Sequence, residues 1–329
     1  MRFATRALFL CVLTSLMPIL QVSGAELRPM ALGDLGSLKS VSSPVISPDG
    51  QWVAAVVSQT DYEREKRASD LVLIDVDSGA IKSITKGLSP LWSPDGTRLA
   101  YRATRGDSSG IWIHSIEDDP SRFLATVHTT DRFLGHRARR NYAWSPDGRN
   151  IAYVGAEPAS DTKPDSDVRV ISRILYKTRT SFSDNRKTHL WTVPSKGGTP
   201  RMLTSGPFDE HSLSWSSDSG HLVFVSNRTD DPDDNHQNDL WRIDVQTGVT
   251  TRLTDTVGAE FQPAWSPDGR YIAYLANIRP VNTKDSPPEN TQLYLISSEG
   301  GSVSNLTASL DRRVSSILWH PDGRQVYFS

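Results

Sequence analysis

One eleven-residue motif recurs six times and leaves few folds open. The segments ISPDGQWVAAV (46–56), WSPDGTRLAYR (92–102), WSPDGRNIAYV (144–154), WSSDSGHLVFV (215–225), WSPDGRYIAYL (265–275) and WHPDGRQVYFS (319–329) align without gaps. Their central aspartates are Asp49, Asp95, Asp147, Asp218, Asp268 and Asp322. A period of roughly 50 residues with strand-like contents points to a propeller and not to a helical solenoid. The fifth unit shows the plan. A first strand runs from Phe261 into Ser266, and Ser266-Pro267-Asp268-Gly269 makes a tight turn. Serine suits the first turn position, proline presets φ at the second, and glycine suits the fourth. Tyr271–Leu275 is a second strand, Gln292–Ile296 a third, and Val303–Leu306 a fourth. The fold class is therefore all-β, a β-propeller of four-stranded blades, with blades starting near residues 41, 88, 141, 212, 261 and 315.

Composition fits this fold. Nine tryptophans stand out in a chain of 329 residues, and all nine lie in repeats, where large aromatics are expected to pack one blade against the next. A single cysteine excludes an internal disulfide and a Cys-x-x-Cys metal site. The formal net charge of −2 argues against broad phosphate-backbone binding, so no nucleic-acid partner is expected.

Residues 1–25 are expected to be a secretory signal. Arg2 and Arg6 precede an apolar run over 7–22, and Ser23-Gly24-Ala25 is a small-residue cleavage site. The apolar run is short for a spanning helix, so export to the periplasm or medium is expected, with no membrane attachment after cleavage. Residues 26–40 form a lead-in, and 41–329 form the propeller.

Two units depart from the pattern. The fourth has Ser217 for proline and Ser219 for glycine. The third is ~20 residues longer than the others, and an insertion between its second and third strands would project from one propeller face, where binding elements are commonly carried. That insertion lies near 158–188.

Other motifs carry little chemistry. Gly106-Asp107-Ser108-Ser109-Gly110 matches G-x-S-x-G, but it lies between two strands, whereas a nucleophile elbow joins a strand to a helix. The stretch Asp230–Asp239 begins like a calcium loop, yet has His236 at the sixth position and Arg242 at the twelfth, and reads as a solvated loop. The eight histidines show no ligand spacing, and Arg137–Arg140 reads as a solvated face. No metal, cofactor or catalytic residue is expected.

The segments VSSPVISPDGQWVAAVVSQTD, SDLVLIDVDSG, SRILYK, HLWTVPSKGG and VFVSNRTDDPDDNHQNDLWRIDV resemble the acylaminoacyl-peptidase and dipeptidyl-peptidase branch of the prolyl oligopeptidase family. The S-P-D-G repeat is also similar to that of the TolB propellers. The first resemblance implies a propeller of about seven blades that restricts access to a C-terminal α/β-hydrolase domain carrying a Ser-Asp-His triad. About five and a half blades are present and the hydrolase is not. The chain is thus expected to be the non-catalytic, gating part of an exported serine peptidase, with short peptides and the hydrolase domain as partners. In the insert, Arg173 or Lys177 would pair with a peptide carboxylate and Tyr176 would pack on a side chain. TSFSDN follows where the family pattern implies a glycine-rich continuation. The alternative is a stand-alone TolB-like propeller that binds a protein partner. Only Glu26 to Ser40 separates the signal from the first blade, too little for the separate domain that precedes the propeller in that group.

Overall fold

The computed structural model describes residues 29–329 apart from 32, 63–65, 118–119, 131–140, 160–167, 169, 172–173, 175, 178–181, 278, 282 and 284–289. The proposed signal, the Arg137–Arg140 run and Arg173 lie outside the described residues.

A short helix, α1 (Asp34–Ser37), precedes the first sheet. Blade 1 comprises β1 (Lys39–Ile46), β2 (Trp52–Asp61), β3 (Lys66–Asp75) and β4 (Ile81–Lys86). Blade 2 comprises β5 (Leu88–Trp92), β6 (Arg98–Arg105), β7 (Ser108–Ser115) and β8 (Arg122–Thr126). Blade 3 comprises β9 (Tyr142–Trp144), β10 (Asn150–Ala156), β11 (Thr188–Pro194) and β12 (Arg201–Met202). Blade 4 comprises β13 (Glu210–Trp215), β14 (His221–Ser226), β15 (Asp239–Asp244) and β16 (Thr250–Arg252). Blade 5 comprises β17 (Glu260–Trp265), β18 (Tyr271–Ala276), β19 (Gln292–Ser297) and β20 (Val303–Asn305). Blade 6 has β21 (Ile317–Trp319) and β22 (Val326–Phe328). Every sheet is an antiparallel meander in chain order, five of four strands and one of two. The first strands of successive blades touch one another along the whole series, so they form the inner rim.

The S-P-D-G turn is built around a buried hydroxyl. Ser266 Oγ donates to Asp268 Oδ1 at 2.7 Å and accepts the Tyr271 amide at 2.9 Å. The Asp268 carboxylate accepts the Arg270 amide at 3.1 Å, and Gly269 takes φ 77°. The same bonds recur around Ser47, Ser93, Ser145 and Ser216. In blade 6 His320 replaces the serine, and its Nδ1 lies 2.8 Å from Asp322 Oδ1. In blade 4 the non-glycine Ser219 occupies the left-handed region at φ 61°. Its Oγ accepts the Asp147 amide of blade 3 at 3.1 Å, which offsets part of the ~1 kcal/mol backbone cost. Glycine was thus replaced where a hydroxyl gains a bond to the neighbouring blade.

Each seam between blades holds its own apolar cluster. Leu71, Leu99 and Tyr101 anchor seam 1/2, and Ile111, Tyr142 and Ile151 anchor seam 2/3. Leu190, Leu213 and Phe224 anchor seam 3/4, Leu240, Ile272 and Tyr274 seam 4/5, and Leu275, Leu293 and Ile317 seam 5/6. The tryptophans that end first strands stitch these seams. The Trp92 indole donates to the Val45 carbonyl, Trp144 to Leu91, Trp215 to Ala143 and Trp319 to Ala264, at 3.1, 3.1, 3.1 and 2.8 Å. Each of these bonds crosses from one blade to the one before. Trp265 differs: its Nε1 donates to the Gly269 carbonyl of its own turn at 3.0 Å, while its backbone amide donates to Ser214 Oγ of blade 4 at 3.2 Å. The inner strands also carry bulges that the alternating pattern does not foretell, at Ser43, Ser89, Ser212 and Gln262, all with φ between 50° and 55°.

Candidate functional site

The insertion leaves blade 3 after β10 and returns at β11. Its two ends are clamped. The Glu157 amide donates to the Lys187 carbonyl at 3.1 Å. Arg186 binds Asp184 Oδ2 through Nε at 2.8 Å, the Glu157 carbonyl through Nη1 at 3.0 Å and the Thr129 carbonyl through Nη2 at 2.6 Å. Thr130 Oγ1 donates to Asp184 Oδ1 at 2.5 Å. Burial would raise the Asp184 carboxyl, but these bonds outweigh it and hold it below its ordinary value.

Within the insertion, Lys177 forms a bridge with Phe182, and the Ser183 amide donates to the Tyr176 carbonyl at 2.8 Å. The Tyr176 and Phe182 rings lie 6.3 Å apart, and Lys177 Nζ lies 6.0 Å from the Phe182 ring. Tyr176 is 41% exposed and Phe182 43%. Tyr176 and Lys177 therefore share one exposed hairpin that offers an aromatic face beside an ammonium group. Arg173 lies outside the described residues.

Beneath the insertion is a buried charged cluster. Glu210 is fully buried, as is His189 on β11. Glu210 Oε2 lies 2.8 Å from His189 Nδ1 and 3.1 Å from Thr204 Oγ1, and Glu210 Oε1 lies 3.1 Å from Arg228 Nη2. His189 Nε2 lies 3.2 Å from Glu157 Oε1 at the root of the insertion. Burial alone would depress the His189 imidazole. Its bonds to, and the charges of, Glu210 and Glu157 outweigh that and raise it above its ordinary value. The Arg228 guanidinium stacks on Trp241 at 4.3 Å and lies 5.6 Å from Phe224. Arg228 lies in the loop whose Asn227 binds Asn235 at 2.9 Å, so one carboxylate joins the insertion root to the S-N-R-T loop. That loop is not solvated throughout: Asn235 and Asp239 are buried, and Asp239 binds Arg252 at 2.7 Å.

Sequence reading passed over Glu210, His189 and Arg228. The available signal was a glutamate five residues before the blade tryptophan, present at Glu210 and again at Glu260. Ser108, by contrast, opens β7 opposite Arg105 in the β6–β7 hairpin, with Gly106 at φ 55° in the turn. Among the described residues no group of three or more His, Cys, Asp or Glu side chains could hold a metal ion.

Residues 164–275, which span much of the insertion, the charged cluster and the S-N-R-T loop, match the model of the dipeptidyl peptidase IV N-terminal region. That match, with the relatives below, makes the propeller similar to the N-terminal propellers of prolyl oligopeptidase-family peptidases. The chain is 29% identical over 220 residues to the uncharacterized peptidase YuxL of Bacillus subtilis, covering 61% of this chain and 31% of the relative. The fold is similar to part of the Pyrococcus horikoshii acylaminoacyl peptidase, with a TM-score of 0.67 at 18% identity over 89% of this chain and 43% of that one. The Tol-Pal system protein TolB of Anaeromyxobacter dehalogenans is 23% identical over 204 residues, covering 61% of this chain and 37% of the relative. The chain thus spans 31% and 37% of the length of these curated relatives.

Proposed function

We propose that this propeller is the gating part of an exported serine peptidase of the acylaminoacyl-peptidase or dipeptidyl-peptidase type. It would admit short peptides to a C-terminal hydrolase domain that performs the acyl transfer. The observation that carries this reading is the family match across the insertion and the S-N-R-T loop. The exposed hairpin supports a role in admission: Lys177 offers a cation to a peptide carboxylate, and Tyr176 offers an aromatic face to a side chain. Arg173 is proposed as a second cation on the basis of sequence alone. The N-terminal segment supports export.

Two experiments test this reading. The coding region past Ser329 should complete the propeller and then encode G-x-S-x-G in a strand–turn–helix context; a stop codon there overturns it. In the full-length product, Tyr176→Ala with Lys177→Ala should raise KM for short peptides with a free C-terminus and leave labelling of the serine by a fluorophosphonate unchanged. Labelling at Ser108 would contradict the non-catalytic role. The alternative, a TolB-like periplasmic propeller that binds a protein, is favoured by the TolB similarity.

A further inference from the structure

At seams 3/4 and 4/5 a buried glutamate stands five residues before the blade tryptophan, as Glu210 and Glu260. At seam 1/2 the same position, five before Trp92, is Gly87. A side chain cannot be added there, because a Cβ would lie 2.6 Å from the Tyr101 ring. The cations of the seam are nevertheless retained. Arg105 lies over Trp112 at 4.3 Å, as Arg228 lies over Trp241. Arg105 Nη2 binds Thr85 Oγ1 at 2.6 Å and the Tyr101 hydroxyl at 2.7 Å, and has no acidic partner among the described residues. Arg102, opposite Leu88, is half-buried, and its guanidinium has no hydrogen bond or ion pair among the described residues. Burial lowers its guanidinium below the ordinary value.

A cavity of about 620 Å³ opens at this place. Among the described residues, Lys66, Arg67, Lys86 and Arg102 line it with one acid, Asp61, and with the hydroxyls of Ser69, Ser89, Thr104 and Ser109 as further polar groups. Arg67 is held toward Ser40 Oγ, whereas Lys66 and Lys86 make no ion pair among the described residues. A guanidinium withdrawn from water without a counter-ion is unfavourable, and an anion that enters the cavity removes that penalty. The volume suits a small molecule and not merely a lone ion.

The geometry points to a binding site for a small oxyanionic ligand in the cleft between blades 1 and 2. Its carboxylate or phosphate group would supply at this seam the negative charge that Glu210 supplies at seam 3/4. Arg102 is the inner contact, where a guanidinium can meet two oxygens at once, and Lys66, Arg67 and Lys86 surround the mouth. The site is separate from the insertion hairpin and does not depend on the peptidase reading.

The test is isothermal titration of the 329-residue chain at low salt with three probes: acetyl-Ala-Ala-Phe with a free carboxylate, the same peptide as its amide, and pyrophosphate. At least one of the two anions should bind, and binding should weaken as sodium chloride is added. Binding of the free acid without pyrophosphate identifies a carboxylate ligand; the reverse identifies a phosphate ligand. Arg102→Gln should weaken binding at least tenfold, and the exposed Lys86→Gln several-fold. Arg102→Met should abolish binding while leaving the melting midpoint unchanged or higher, since it removes an unpaired charge. The proposal fails if neither anion binds, if the free acid binds but its amide binds equally tightly, or if Arg102→Gln and Lys86→Gln bind as the parent does.

Discussion

Seams 3/4 and 4/5 have the same repeat positions and solve them in opposite ways. At seam 3/4, Trp215 donates across to blade 3, and Glu210 meets a histidine and an arginine. At seam 4/5, Trp265 turns back to its own blade, and Glu260 is surrounded by neutral donors: the Leu240 amide at 2.9 Å, Thr256 Oγ1 at 3.1 Å and Thr254 Oγ1. The charged group that acts on Glu260 is another carboxylate, Asp239. Burial, with Asp239 beside it, outweighs the hydroxyl and amide bonds and pushes the Glu260 carboxyl up to about 7. Position in the repeat therefore decides that a glutamate is buried. The partners brought by neighbouring strands decide what charge it carries.

The largest effects should separate the two tryptophans. Trp215→Ala removes a buried indole and a bond between blades and should cost about 3–5 kcal/mol in a urea titration. Trp265→Ala should cost about 1 kcal/mol less, because no bond between blades is lost. Equal losses would mean that the direction of the indole bond is immaterial.

Glu210→Ala leaves His189 and Arg228 facing each other without their shared carboxylate, and should cost about 3 kcal/mol at neutral pH. A loss within 0.5 kcal/mol of zero, about that of an ordinary surface change, would show that the cluster adds nothing to the fold.

Glu260→Gln should act through pH. The folded carboxyl titrates above its ordinary 4.5, so the protonated form stabilises the fold fully below pH 4.5, and that contribution is lost as pH rises through about 7. The parent chain should lose stability on the order of 3 kcal/mol across that window from this group. The glutamine variant, neutral throughout, should show a flatter profile of melting temperature between pH 5 and 8. An unchanged profile would place the titration elsewhere. His189, raised above its ordinary value, also loses its contribution as pH rises, so a Glu260→Gln, His189→Gln double variant should be flatter still.

The smallest change is Ser219→Gly. It relieves a left-handed backbone but loses the bond to the Asp147 amide, and should shift stability by less than about 1 kcal/mol. A loss well above that would give the hydroxyl a larger part in holding blades 3 and 4 together.

The blade plan was legible because each strand of the repeat announces itself. Ser-Pro-Asp-Gly presets a turn, and a short apolar run such as Tyr271–Leu275 marks the strand after it. What escaped notice depends on contacts between blades. Glu210 and Glu260 read alike in sequence, and only their neighbours on other strands distinguish them. The Trp265 reversal follows from Ser214, a polar residue where Val45, Leu91 and Ala143 stand in other blades, and nothing in the Trp265 repeat itself announces it. In the site, Tyr176 and Lys177 were visible as an aromatic beside a cation within an insertion. Their pairing with Phe182 and the clamp through Arg186 depend on chain reversal over a segment without a repeat to guide it.

The separation of the apolar clusters, one to each seam, has a consequence for how such a chain diversifies. A change confined to one seam leaves the packing of the distant seams intact, and distant changes of this kind add nearly independently. Lengthening one hairpin, as between β10 and β11, or emptying one acidic position, as at Gly87, is thereby a local experiment. New surface chemistry can be tried in one blade while the others continue to hold the shape that makes it useful.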